Sequence, residues 1–244
     1  MENVGGDVRS LFVSDTHVGW RHSKSAQLMR CMSEWQPQYL YLVGDIFEQK
    51  YRTRDYDKQA EAALLERLTD LRARGTEIIR LSGNHDEWSS EAWDDALGPC
   101  LPYVVHTSVD GRKWLVVHGD IFDIHQGMHK AWTSRFGGRI YPYLVGIAAA
   151  VVRMGLSPEG ARPMWCTRFK LSLRRVRHYI RRYERYMVRL AERQECNGVI
   201  CGHIHLPAMK TIRQTLYANC GDWIEHRSYL IEDTTGEVSL LSAR

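Results

Sequence analysis

The chain has 244 residues, 44% hydrophobic and 25% charged, which suits one soluble globular domain with a full core. Its longest uncharged apolar run, Tyr141 to Val152, is broken by Pro142 and Gly146 and falls short of the ~20 residues a membrane span needs; this excludes a transmembrane protein but not one that lies on a membrane. The net charge of +4 hides an asymmetry: residues 162–193 hold ten Arg and one Lys against Glu184 and Glu192, a local +9 that leaves the rest at −5, so one segment is built to meet anions or a membrane surface.

In chain order, residues 1–7 read as a loose tail and Val8 to Ser14 as a first strand. His22 to Trp35 is a helical stretch, with Leu28, Met29, Met32 and Trp35 at helical spacing. Tyr39 to Val43 predicts a strand buried on both faces, and residues 48–56 a charged loop over the strand ends. Asp57 to Arg74 predicts a helix with Ala60, Leu64, Leu68 and Leu71 on one face and Gly75 as its stop. Ile78 to Leu81 is a third strand, so strand–helix–strand–helix–strand implies parallel right-handed crossovers with ligands at the carboxyl edge. Glu87 to Leu97 reads as a short acidic loop or helix. Tyr103–Thr107 and Lys113–Val117 flank Asp110-Gly111 as a hairpin. From about 126 to 195 there is no strand signal, which predicts a helical insertion into a single domain spanning 1–244. Strands return at Gly198–Cys201, Met209–Ile212, Leu216–Asn219, Ser228–Ile231 and Val238–Leu241. The six cysteines (31, 100, 166, 196, 201, 220) form no CxxC pair and the start carries no signal-peptide pattern, so reduced thiols and a cytoplasmic location are expected.

Five strand ends are tipped with Asp, Asn or His: Asp15-Thr16-His17, Gly44-Asp45, Gly83-Asn84-His85-Asp86, His118-Gly119-Asp120 and Gly202-His203-Ile204-His205. Taken singly, each tip is an ordinary turn or cap. Taken together, seven potential ligands at five strand ends suit a two-metal centre. Two divalent cations want hard oxygen donors and imidazoles rather than thiolates, and one carboxylate must bridge them, for which Asp45 is the natural candidate. Such a pair, ~3.5–4 Å apart, acidifies a shared water and clamps phosphoryl oxygens.

These motifs resemble the calcineurin-like metallophosphoesterases over about residues 8–120 and 196–241. The resemblance implies an α/β fold, a four-layer αββα sandwich, here with a helical cap insertion. It implies that Asp15, His17, Asp45 and His205 surround one metal and Asp45, Asn84, His118 and His203 the other, with a metal-bridging hydroxide attacking phosphorus in line. His85 would stabilise the transition state or protonate the leaving group, helped by Asp86. Manganese is the expected pair of ions, with Fe, Zn or Mg as alternatives. Val117–Asp123, the insertion, and Tyr217–Trp223 resemble the bacterial UDP-2,3-diacylglucosamine diphosphatase group, which cuts the diphosphate of a lipid-bearing UDP-sugar in lipid A synthesis and releases UMP and a diacylglucosamine 1-phosphate. That group typically carries Arg where this chain has His85, so a divergent member is indicated.

Within the cap, Phe169, Leu173, Val176, Ile180, Tyr183, Met187 and Leu190 form one apolar helix face. Arg174, Arg175, Arg177, Arg181, Arg182, Arg185, Arg189 and Arg193 repel one another unless anions or lipid headgroups compensate. The cap is therefore expected to hold acyl chains against the Tyr143–Val152 run and to present arginines to headgroups and diphosphate, which places the protein peripherally on the inner membrane. Arg174, Arg177 and Arg181, with Asp123 and Asn219, are the candidate substrate contacts. A phosphodiesterase or phosphatase acting on soluble nucleotides, or a nuclease, is the alternative; the greasy lid and the confinement of basic charge to one amphipathic helix argue against a soluble substrate and against nucleic acid. No protein partner is implied. A metal-free scaffold protein would have lost ligands, and every ligand position here is filled.

Overall fold

The structure, a computed structural model, describes residues 7–48, 55–86, 93–94, 97–125 and 174–243. Most of the expected acidic segment and the Tyr143–Val152 run lie outside the described residues, as do Phe169 and Leu173. The chain divides into two compact units, residues 1–119 with 187–244, and residues 120–186.

The first unit contains two mixed sheets. Strands β1 (Asp7–Val13), β2 (Gln36–Val43), β3 (Glu77–Leu81) and β4 (Cys100–Leu101) run parallel, and β10 (Ser228–Glu232) and β11 (Val238–Ser242) extend that sheet antiparallel, giving the order β11-β10-β1-β2-β3-β4. The second sheet, β5-β6-β7-β9-β8, has β6 (Lys113–Val116), β7 (Gly198–Cys201) and β9 (Thr215–Asn219) parallel, with β5 (Val104–Thr107) and β8 (Ala208–Ile212) antiparallel at its edges. The expected hairpin is β5–β6, paired Val104↔Val116 through Thr107↔Lys113. Burial explains why the strands in the middle read as continuous apolar runs: Leu40 to Val43 and all of β7 are covered on both faces.

Helices α1 (Ser25–Glu34) and α2 (Lys58–Ala73) cover one face of the first sheet, where Leu28, Met32, Leu64, Leu68 and Leu71 pack with Leu11, Val13, Leu40 and Leu42. Helix α2 starts where the sequence predicts because the Asp57 carboxylate accepts the N–H groups of Gln59 and Ala60, both at 3.0 Å. Helix α1 begins three residues later than expected: Trp20 N–H donates to His17 and Ser23 N–H to Trp20, so residues 17–23 are spent in turns. The other face of the first sheet meets the second sheet through Phe12, Tyr41, Val43, Leu81, Trp114, Val116, Ile200 and Ala218.

A buried carboxylate stitches this second core. Glu232 accepts hydrogen bonds from Ser10 Oγ (2.7 Å), His106 Nε2 (2.6 Å) and Val109 N–H (3.2 Å), while His106 Nδ1 meets the Tyr41 hydroxyl at 2.8 Å. Burial acts to raise the Glu232 pKa, but the His106 and Ser10 hydrogen bonds outweigh it and hold the group below its ordinary 4.5. A depressed folded pKa contributes stability that is present above the unfolded value and lost as pH falls through the folded one. Glu232→Gln is therefore expected to cost about 3–5 kcal/mol at pH 7, with the gap to the parent protein narrowing below pH ~4.5; urea unfolding across pH 3–7 measures it, and a pH-independent gap would contradict the assignment.

In the second unit, α3 (Ile121–His125) places the Phe122 ring 5.5 Å from the rings of Tyr179, Tyr183 and Tyr186, which lie on the part of α4 (Arg174–Arg193) that belongs to that unit. The buried face of α4 is Tyr183, Glu184, Met187, Val188 and Ala191, rotated from the expected stripe: Val176, Ile180 and Leu190 are only half-buried.

Candidate metal centre

In each sheet the parallel strands end on one edge, and the two edges meet. Beyond β1, Asp15 N–H donates to Gly44 O (3.1 Å), His17 N–H to Asp45 O (3.0 Å) and Val18 N–H to Ile46 O (2.8 Å), so the tips of β1 and β2 stay zipped past the sheet. The second sheet is tied in when His118 Nδ1 donates to Val43 O (2.9 Å) and His203 N–H to Asp15 Oδ2 (2.9 Å). The glycines are steric necessities: a β-carbon at Gly44, whose φ is +75°, would strike the His118 ring, and one at Gly202 would strike the Ser14 hydroxyl.

Eight non-glycine residues among those described adopt positive φ, and five of them are Asp15, His17, Asp45, His203 and His205. Each such conformation costs of order 1 kcal/mol or more and persists only where the surroundings impose it. Here the surroundings turn the side chains inward. His205 Nε2 stands 3.1 Å from Asp15 Oδ1, His118 Nε2 stands 3.3 Å from Asp45 Oδ2, and His203 Nδ1 stands 3.0 Å from Asn84 Oδ1. His17 Nε2 is 3.9 Å from Asp45 Oδ2. Two donors each ~2.1 Å from one cation, at about 90–110°, lie roughly 3.0–3.4 Å apart, so three of these four spacings fit donor pairs on shared ions.

The electrostatics agree. Asp15 and Asp45 are buried, and burial alone would raise their pKa values. The imidazoles of His205 and His118 outweigh it for Asp15, and those of His118, His85 and His17 for Asp45, so both stay ionised, Asp45 well below the usual carboxylate range. Two buried anions at one point call for a cation. Buried lone pairs also remain: Asp15 Oδ1 and His17 Nε2 make no hydrogen bond. The donors of Asp15, His17 and His205 form one cluster, and those of Asp15, Asp45 and His118 another, all oxygen or imidazole nitrogen, a set suited to Mn, Fe, Zn or Mg.

The structure also assigns a residue that the sequence reading left in a loop. Glu48 is buried, with Oε2 2.9 Å from His17 Nδ1 and Oε1 2.8 Å from His85 Nδ1. Despite burial, these two bonds pull the Glu48 carboxyl down to about 2. The partner of His85 is thus Glu48, not the expected Asp86. Asp86 instead accepts the N–H groups of Ile46 (3.1 Å) and Phe47 (3.0 Å) and fastens the segment that carries Glu48; burial and the charge of Asp45 push it up to about 6. The signal for Glu48 was its place just past the buried Ile46-Phe47 pair, where the strand tip continues through a bridge between Val18 and Phe47.

The candidate substrate contacts divide. Asn219 is fully buried: Nδ2 donates to Gly202 O (2.8 Å) and Oδ1 accepts Gly221 N–H (2.9 Å), so it fastens the loop behind His203 and does not face a substrate. Asp123 is buried and accepts the Tyr179 hydroxyl at 2.8 Å. Arg174, Arg177 and Arg181 are exposed on α4, and with Asp123 they belong to the second unit.

The family model for calcineurin-like phosphoesterases matches residues 8–207. A UDP-2,3-diacylglucosamine hydrolase of Porphyromonas gingivalis (strain ATCC BAA-308 / W83) is 23% identical over 253 residues, covering 92% of this chain and 94% of that protein. A protein of the same name from Wigglesworthia glossinidia brevipalpis is 22% identical over 222 residues, covering 85% and 84%. Among solved structures, the Yfce phosphoesterase from E. coli aligns over 96% of this chain and 99% of its own, with 15% identity and a TM-score of 0.46.

Proposed function

The chain belongs to the calcineurin-like phosphoesterase family and is a metal-dependent phosphoesterase, and from that premise we propose that it cleaves the diphosphate of a lipid-bearing UDP-sugar of the UDP-2,3-diacylglucosamine type. The observation that carries the chemical part is the convergence of Asp15, His17, His118 and His205 on Asp45 and its neighbouring carboxylate. The substrate part is supported by the two relatives of that name at 22% and 23% identity.

In this reading Asp15, His17, Asp45 and His205 hold one divalent ion, and Asp45, Asn84, His118 and His203 the other, manganese being the first to try. Bound there, the ions polarise the phosphoryl oxygens and acidify the attacking water. The chain does the rest. Val43 O fixes the Nδ1–H tautomer of His118, which leaves the Nε2 lone pair on the side of Asp45, where it could ligate a metal. Asp45 Oδ1 accepts the His85 N–H at 2.7 Å, so the Asp45 carboxylate also sets where His85 stands. Glu48 orients the His85 ring through Nδ1, leaving Nε2 to exchange a proton with the leaving oxygen. The exposed arginines of α4 would meet anionic lipid headgroups at the inner leaflet. Among the described residues no helix is long and apolar enough to cross a membrane.

The test is product analysis. Mn-loaded protein incubated with UDP-2,3-diacylglucosamine is expected to release UMP and the lipid monophosphate, with no release by Asp45→Ala. Hydrolysis of a generic aryl phosphodiester without any cleavage of the UDP-lipid would retain the metal centre and discard the substrate. The membrane part falls if the protein does not float with anionic vesicles, or floats equally well after Arg177, Arg181 and Arg189 are changed to Ala.

A further inference from the structure

We propose that the turn Trp20–Lys24 is a subsite for the second phosphate of a diphosphate substrate, with Arg21 and Lys24 as its cations, and that it selects a diphosphate over a single phosphodiester. The inference rests on the substrate reading above and deepens it.

The turn is built onto the first ligand tip. Trp20 N–H donates to His17 O (3.0 Å), Ser23 N–H to Trp20 O (2.8 Å) and Ser23 Oγ to Thr16 O (2.7 Å). Lys24 N–H donates to Trp223 O (2.8 Å), and Trp223 N–H in turn to Asp15 O (3.1 Å). Both ends of the turn are therefore tied to the backbone that carries Asp15 and His17. Ring contacts lead outward from there: the His17 and Trp20 centroids are 6.4 Å apart, and those of Trp20 and His22 4.9 Å. Arg21 and Lys24 flank His22, and both are exposed.

These cations lack an anion. Among the described residues neither forms an ion pair, whereas exposed arginines elsewhere in the first unit do, Arg74 with Asp70 and Arg112 with Asp110. Arg21 Nε donates to His22 Nε2 at 3.0 Å, which fixes the guanidinium and leaves its two Nη groups to bind. The first turn of α1 holds no acid, and Asp57, whose N–H donates to Gly19 O at 2.9 Å, spends its carboxylate on the cap of α2. The positive field acts on His22, held below its ordinary 6.5 by burial and then by Arg21 and Lys24. A diphosphate diester supplies the missing charge. One phosphate is attacked at the metal centre, and the second, one bridging oxygen away, extends beyond it. As the bond from phosphorus to that oxygen breaks, its electron pair stays with the departing phosphate, where negative charge grows. A guanidinium meets such oxygens through parallel N–H groups and an ammonium meets them as a point charge, and both hold the developing charge better than the ground state. A substrate with a single phosphorus presents nothing to this turn.

The test compares two substrates, UDP-2,3-diacylglucosamine in neutral detergent micelles and bis(4-nitrophenyl) phosphate, which has a single phosphorus. Arg21→Ala is expected to lose roughly 10- to 100-fold in kcat/KM on the UDP-lipid, and Lys24→Ala less, with a far smaller loss for either on the aryl diester. Arg21→Lys keeps the charge but not the fork and should fall between parent and Arg21→Ala. Binding is read separately, from inhibition of aryl diester hydrolysis by UDP and by UMP. The parent should bind UDP more tightly than UMP, and Arg21→Ala should lose that preference. Equal losses on both substrates would overturn the proposal, since the turn would then be shaping the metal centre. So would a loss seen only when the UDP-lipid is presented in anionic vesicles, which would assign the cations to headgroups. A parent that leaves the UDP-lipid intact discards the substrate reading, and the nucleotide comparison still decides the subsite: a UDP preference that depends on Arg21 retains it, and no preference in the parent overturns it.

Discussion

Asp45→Asn is expected to lower kcat/KM for phosphoester hydrolysis by on the order of 10^3-fold or more, about 4 kcal/mol of transition-state stabilisation at 1.36 kcal/mol per tenfold, while the protein stays folded. The expected effect is large because the one carboxylate touches both halves of the site. Its Oδ2 faces His118 at 3.3 Å and His17 at 3.9 Å, and its Oδ1 accepts the His85 N–H at 2.7 Å. Asn keeps the shape, tolerates the φ of +53° that Asp45 adopts, and still offers one oxygen, so what is lost is charge. The imidazoles of His118, His85 and His17 hold Asp45 well below the usual carboxylate range, so its charge stabilises the metal-free fold at neutral pH, and the variant should melt somewhat lower than the parent while metal content falls. Elemental analysis, melting curves and kinetics on one preparation test this. A variant that retains both ions and a tenth of the activity would remove Asp45 from the bridging position.

His85→Ala is the second large effect, with an expected loss of about 10^2- to 10^4-fold in kcat and an unchanged metal content. His85 lies at the rim of the cluster, its ring 4.7 Å from that of His17 and its Nδ1 on Glu48. A group that delivers a proton to the leaving oxygen matters most when that oxygen is basic. The loss should therefore shrink toward a nitrophenyl ester, whose leaving group needs no proton. Glu48→Gln should follow His85→Ala in direction with a smaller loss, about 10- to 100-fold, but it should also weaken metal binding, because Glu48 backs His17 as well. Equal losses for basic and activated leaving groups would assign His85 to ground-state binding instead of proton transfer.

The sheet-forming strands were legible because they obey simple rules: buried parallel strands are continuous apolar runs, and Asp57 and Gly75 punctuate α2. Strand β4 was not, since two residues carry no period, and β2 begins at Gln36 because Pro37 pairs with Val8 at the strand end, where its missing N–H costs least. Asn219 shows the opposite failure. A polar residue at a strand end looks like a substrate contact in sequence, yet it is spent on holding the Gly202 carbonyl.

By itself the sequence determined which chemistry is available. Hard oxygen and imidazole donors at the ends of five apolar runs, with glycines beside them, are a statement about residue types and spacing, and those are local. Only the tertiary structure decided which donor faces which. Whether Glu48 or Asp86 backs His85 depends on a contact between residues 37 positions apart in the chain, closed by the pairing of β2 with β3. No local pattern encodes such pairings, because the left-handed backbone at Asp15, His17, Asp45, His203 and His205 that aims the side chains is imposed by those same long-range hydrogen bonds.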